Sequence, residues 1–237
     1  MTRPEYSINV RSRFSFDTSH EELYQAAVTR LVQIPPPWGF KGLKIKPLPP
    51  VKPNYAVGVS YTRELGAPIK TFGIGFWNRN RKSEPRDTPA GDDTLTIDFN
   101  INHKSVDYGH LVREVIPAYV EAMGAYFVRI SEANIDYEDA YIVDESGASR
   151  SRPGALDFRE GVDRIWPANY WDRELCRRAF SLTPDQVVNR LTGHVAEARI
   201  LMDGALIIYS YDRVPDGQIA SIDGKLRPLL LGKPGLA

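Results

Sequence analysis

"VAEARILMDGALIIYSYD" (residues 195–212) decides the fold class of this chain. Two strand-like runs flank Asp203-Gly204. That dipeptide tolerates the positive φ of a type I′ two-residue turn, so the stretch predicts an antiparallel hairpin. Upstream, "TLTIDFNIN" (94–102) alternates strictly, sending Leu95, Ile97, Phe99 and Ile101 to one side of a half-buried strand. "NYAVGVSYT" (54–62) and "IKTFGIGFWN" (69–78) read as paired strands around "RELGAP". "YSINVRSRFSF" (6–16) predicts one or two short strands, "AYFVRISEANI" (125–135) another, and "DAYIVDE" (139–145) a further candidate.

Helical signals lie between these runs without a regular β-α-β rhythm. Thr18 or Ser19 caps a helix with Glu21 and Glu22 at its positive end, and "IPPPWGF" (34–40) stops it. Asp107 caps a second helix, whose apolar stripe runs from Leu111 to Met123. Pro117 should kink or split it, and Gly124 ends it. "NYWDRELCRRAF" (169–180) predicts a helix with Asn169 at its cap and Trp166 as a hydrophobic staple, leaving Trp171 as the ring most open to a partner. "LTPDQVVNRLTG" (182–193) is a short helix punctuated by Thr183, Pro184 and Gly193. The segment after residue 214 reads as a short helix or an irregular wrap. Together these signals predict an α+β fold: a largely antiparallel sheet flanked by helices, with a C-terminal helix pair and β-hairpin. The expectation is one domain over 1–237, with sub-boundaries conceivable at the Lys/Pro-rich 41–53 and at "SGASRSRPG" (146–154).

Composition narrows the function. The 237 residues are 42% hydrophobic and carry 30 basic against 30 acidic side chains, so no global basic field favours nucleic acid. Residues 1–104 hold 15 basic and 10 acidic residues and residues 105–237 hold 15 and 20, which makes the chain dipolar. Cys176 is the only cysteine, which favours a reducing compartment. No secretory leader pattern and no apolar run of about 20 residues is present, so a soluble cytoplasmic protein without membrane contact is expected.

Catalytic signatures are sparse. Gly73-x-Gly75 lacks the third glycine of a dinucleotide fingerprint and reads as close backbone packing or a bulge. Ser60 lacks a nucleophile elbow, and Cys176 reads as a buried structural thiol. His20, His103, His110 and His194 show no ligand spacing, although His103 and His110 could approach each other. No catalytic residue, metal site or cofactor is assigned. Two charged stretches remain. "FWNRNRKSEPR" (76–86) is basic beside aromatics, and with "RNRKSEPRDTPAGDD" (79–93) reads as a solvated, mobile loop. "EANIDYEDAYIVDE" (132–145) holds Glu132, Asp136, Glu138, Asp139, Asp144 and Glu145, interleaved with Tyr137 and Tyr141, and no basic residue. It is a solvated edge, a metal-holding cluster or a surface for a basic protein partner, with tyrosines as anchors.

The strand "TLTIDFNIN", the helix "LVREVIPAYVEAM" (111–123) running into "AYFVRI", then "WPANYWDRELC" (166–176) and "MDGALIIYSYD" (202–212), together resemble immunity proteins of bacterial polymorphic-toxin and type VI secretion systems. The group called immunity protein fifty-two is the nearest. The resemblance spans about residues 72–231 and carries over no individual binding residue. It implies a cytosolic, non-catalytic protein that binds and blocks a cognate toxin, with a nuclease effector as the candidate class; the acidic segment read above from its own residues is the surface expected to meet it. Two alternatives stay open: a divalent-metal enzyme acting on nucleic acid or phosphate esters through Asp98, His103, Asp136 and Glu138, and a non-catalytic scaffold or homodimer.

Overall fold

The computed structural model describes residues 6–13, 17–50, 56–77, 91–132, 135, 158–215 and 217–232, together with the backbone of 141–143 and 149–151. Strand β1 is Tyr6–Ser12, β2 Val57–Ser60, β3 Ile69–Phe76, β4 Asp93–Phe99, β5 Phe127–Glu132, β6 Tyr141–Val143, β7 Ser149–Ser151, β8 Ala168–Trp171, β9 Glu197–Leu201 and β10 Gly204–Ile208. Eight of them form one sheet in the order β2-β3-β4-β1-β5-β8-β10-β9, and every pairing is antiparallel. The predicted α+β class with a largely antiparallel sheet is therefore what the chain adopts. Strands β6 and β7 make a separate hairpin. The expected loop at 146–154 therefore contains a strand, because Ser149–Ser151 pairs with the predicted 139–145 run.

Two cores sit on opposite faces of the sheet. Ile8, Val10, Phe72, Leu95, Ile97, Val128, Ile130, Tyr170 and Leu206 point into the larger one. It is covered by helix α1 (His20–Leu31) and helix α4 (Ile116–Met123). Between β2 and β3 a single turn, α2 (Thr62–Leu65), leads through a cis Ala67-Pro68 bond. Helix α3 (Tyr108–His110) enters α4 through a π-type turn at Leu111–Val115, in which the Ile116 N–H donates to the Leu111 carbonyl. Pro117 thus splits the predicted helix into two registers. Its missing N–H and its ring make the ordinary i−4 bond impossible there, and the wider turn absorbs both. Asp107 caps the start and Gly124, with φ 56°, ends it as expected. At α1 the cap is Ser19, in a capping box with Glu22.

The smaller core takes Phe127, Trp171, Ala205 and Ile207 from the other face. Helices α5 (Arg173–Phe180), α6 (Pro184–Leu191) and α7 (Ile219–Leu231) cover it. Thr183 and Gln186 form the capping box of α6.

Two local expectations are corrected. Residues 168–171 are a strand, not a helix entry. Their backbone pairs with β5 on one side and β10 on the other. Asn169 is fully buried, and its side chain bonds the Trp166 carbonyl at 2.6 Å and the Trp166 N–H at 3.0 Å. The cap is Asp172, which accepts from the Leu175 N–H at 2.8 Å. As neighbours on a strand, Tyr170 and Trp171 enter opposite cores, and both are 0% exposed, so Trp171 faces no partner. In the C-terminal hairpin, Leu201 pairs with Gly204, so the loop residues are Met202 and Asp203. Only Met202 carries a positive φ, 51°, so the type I′ pair is not formed. Gly204 is needed for space instead: a Cβ there would lie 2.4 Å from the Trp171 carbonyl and 2.6 Å from the Tyr170 hydroxyl.

Candidate functional site

Among the described residues, helices cover the second face of the sheet over β5, β8, β10 and β9. Over β2, β3, β4 and β1 no described helix packs, and the strand residues change character accordingly. One row runs Ser60, Gly73, Thr96, Asn9 from β2 to β1. The next runs Gly58, Gly75, Thr94, Arg11, and a third joins Thr71, Asp98 and Ser7. Asn9, Thr94, Thr96 and Asp98 are half-buried, and Gly58, Ser60 and Thr71 are exposed. The same strands bury Leu95, Ile97, Phe99 and Ile74 on their other side. Strict alternation therefore builds a platform of hydroxyls, an amide, a carboxylate and glycines. The hydroxyls and the amide both donate and accept and the carboxylate accepts, as a polar partner surface requires. Gly73 is not a close-packing site: a Cβ there would meet no described atom within 4 Å. The register shift in β3 lies at Ile69/Thr71 rather than at Gly73-x-Gly75.

A wall of arginines and rings bounds the platform at β5. Phe158 lies between two guanidiniums, Arg11 at 4.5 Å and Arg129 at 5.0 Å from its centroid. Arg129 is itself 5.2 Å from the Trp166 ring and bonds Asp163 at 2.9 Å.

Beneath the wall lies a buried knot around Asp92. Its carboxylate accepts from the Tyr126 hydroxyl at 2.6 Å and from Arg159 Nε at 2.8 Å, with Arg11 Nη1 3.6 Å away. Burial pushes the Asp92 carboxyl up from its ordinary range, and the Tyr126 hydroxyl and Arg159 guanidinium oppose that shift. Burial also raises the Tyr126 phenol. Tyr126 further stacks beneath Arg13, 4.4 Å from its centroid, and Arg13 pairs with the helix-capping Asp172. The knot joins distant sequence: Asp92 closely follows the basic stretch, and Arg159 follows the acidic one.

The sequence-predicted site residues fall out unevenly. Glu132 ends β5 opposite Tyr6 and is 8% exposed, so it roots the acidic segment rather than lying on a surface. Tyr141 lies on β6, which pairs it with Ser151. Asp136, Tyr137, Glu138, Asp139, Asp144 and Glu145 lie outside the described residues, as does most of the basic stretch 76–86 and of the loop 79–93. Asp98 stands on the platform. His103 lies in the following turn with its Nδ1 2.8 Å from Ser105 Oγ, and His110 lies in α3. Among the described residues, no three His, Cys, Asp or Glu side chains gather to hold a metal ion. Cys176 is fully buried, and burial and the nearby Asp172 push its thiol up to about 12. Among the described residues, no helix is long and apolar enough to cross a membrane.

The platform went unread as a site, although its signal was present. Alternation in "TLTIDFNIN" that buries Leu95 and Ile97 necessarily presents Thr94, Thr96 and Asp98 together. What sequence could not show is that the described helices lie over one half of that face. The sequence matches no protein-family model and no curated protein.

Proposed function

We propose that the chain is a cytosolic immunity protein that neutralises a cognate bacterial toxin by binding it. The carrying observation is the half of the sheet over which no described helix packs. A broad polar platform lies beside the Asp92–Arg159 knot, where the chain returns from both charged stretches. A platform of this kind supplies many small donors and acceptors without a nucleophile–base pair, which suits recognition of a protein surface. The acidic segment supplies charge that speeds encounter with a basic toxin, and its tyrosines supply anchoring area. Bound there, the protein occludes the toxin's substrate channel.

The test pairs the chain with the toxin domain encoded beside its gene. Charge reversal at Asp136, Glu138 and Asp139 should abolish toxin binding while the variant keeps its melting temperature. Unchanged binding by a folded variant would overturn the acidic-segment proposal.

A further inference from the structure

The Lys/Pro-rich segment follows helix α1 and has a repeating exposure that the toxin-binding proposal does not use. Lys44, Pro47 and Pro50 are exposed, as is Pro49 between them, whereas Ile45, Lys46 and Leu48 are half-buried, and Ile45 and Leu48 pack against the larger core. A period of three residues is the pitch of a polyproline II helix, which makes no internal hydrogen bonds. The covalent chemistry favours the same extended conformation. From residue 46 to 50 every residue is a proline or precedes one. Pro47, Pro49 and Pro50 fix their own φ, and each following ring drives Lys46, Leu48 and Pro49 out of the helical region.

One residue fastens this segment to the body. The Lys46 carbonyl accepts from the Tyr24 hydroxyl at 2.6 Å, and the Lys46 N–H donates to the Tyr61 hydroxyl at 2.9 Å. The two phenols lie 2.7 Å apart. Tyr24 spends its proton on the carbonyl, so Tyr61 donates to Tyr24, and the polarity of the clamp is set. Lys46 Nζ reaches the Ser60 carbonyl at 2.6 Å and Glu64 at 2.8 Å. A cleft of about 280 Å³ separates the prolines from Glu21, Tyr24 and Gln25 of α1, leaving the flank of the ridge open as well.

We infer that Lys44-x-x-Pro47-x-x-Pro50 is a preformed polyproline II ridge that docks into an aromatic-lined groove of a partner domain with carboxylates at its rim. The prolines on the exposed edge fill the spaces between aromatic rings, and Lys44 meets the rim carboxylate and sets the direction of docking. The anchored backbone has already lost the freedom that a flexible peptide loses on binding. The ridge meets the platform at Ser60, whose carbonyl Lys46 holds, but its exposed residues Lys44, Pro47 and Pro50 are not platform residues, so its test stands apart from that of toxin binding.

The probe is an isotope-labelled SH3 domain whose groove reads a basic residue three positions before Pro-x-x-Pro, titrated with the full chain. Shifts confined to the groove aromatics and rim acids are expected. Lys44→Glu should weaken binding about tenfold or more through the lost rim pair, and Pro47→Ala with Pro50→Ala should abolish it. Lys44 is exposed, so its variant keeps the fold and decides the matter even if the proline variant unfolds. Absence of groove shifts at excess chain, or equal binding by Lys44→Glu, would overturn the inference.

Discussion

The Tyr126 hydroxyl donates to the Asp92 carboxylate at 2.6 Å, and the same carboxylate holds Arg159, 67 residues further along the chain. Tyr126 precedes β5 and Asp92 precedes β4, so one buried acid ties two strand entries to the segment that returns after residue 157. Replacing it by alanine removes the acceptor shared by a buried guanidinium and a buried phenol. Asp92→Ala should cost about 3–5 kcal/mol of unfolding free energy, read from urea denaturation. A loss below about 1 kcal/mol would place the knot among ordinary surface pairs.

The C-terminal hairpin divides two roles between two residues: Met202 takes the positive φ and Gly204 makes the close approach. Gly204→Ala should destabilise by about 1–3 kcal/mol, since its Cβ would collide with Trp171 and Tyr170. Met202→Gly should be neutral or stabilising by up to about 1 kcal/mol, because Met202 is 55% exposed and holds the strained positive φ. Thermal melts of the two variants should move in different directions or at least by clearly different amounts. Equal losses would mean that the loop is not Met202-Asp203.

Cys176 should resist alkylation in the folded protein. With its thiol pushed up to about 12, almost no thiolate exists at pH 8, and the side chain is fully buried. Reaction with a disulfide reagent should appear only as denaturant unfolds the chain. Rapid labelling under native conditions would contradict the position of α5 against β8 and β10.

Glu22 titrates below its ordinary range because the Ser19 backbone N–H and hydroxyl both donate to its carboxylate. A depressed folded value means that its contribution is present above the ordinary carboxylate range and is lost as pH falls through the folded value. An NMR titration should find the Glu22 carboxyl below 4.5, and Ser19→Ala should return it toward that value. A Glu22 that titrates normally would remove the capping box.

The fold was legible where period and punctuation agreed. Leu95, Ile97 and Phe99 alternate into the core as read, and Thr183 and Asp107 cap the helices assigned to them. Reading failed where tertiary pairing outweighed local signals. Asn169 is a good cap by itself, but β5 and β10 claim its backbone, and the helix starts three residues later at Asp172. The Gly at 204 was correctly valued and wrongly explained, because steric crowding by Trp171 comes from a strand over 30 residues away. The Asp92–Arg159 pair was invisible for the same reason: no local pattern connects residues so distant.

The central claim is tested most directly by coexpressing the chain with the toxin domain encoded beside its gene and measuring both growth and complex formation by light scattering. Growth should be restored and a stable complex recovered, and both should be lost when Asp136, Glu138 and Asp139 are reversed in charge. A folded chain that neither binds the toxin nor restores growth would contradict the proposed function.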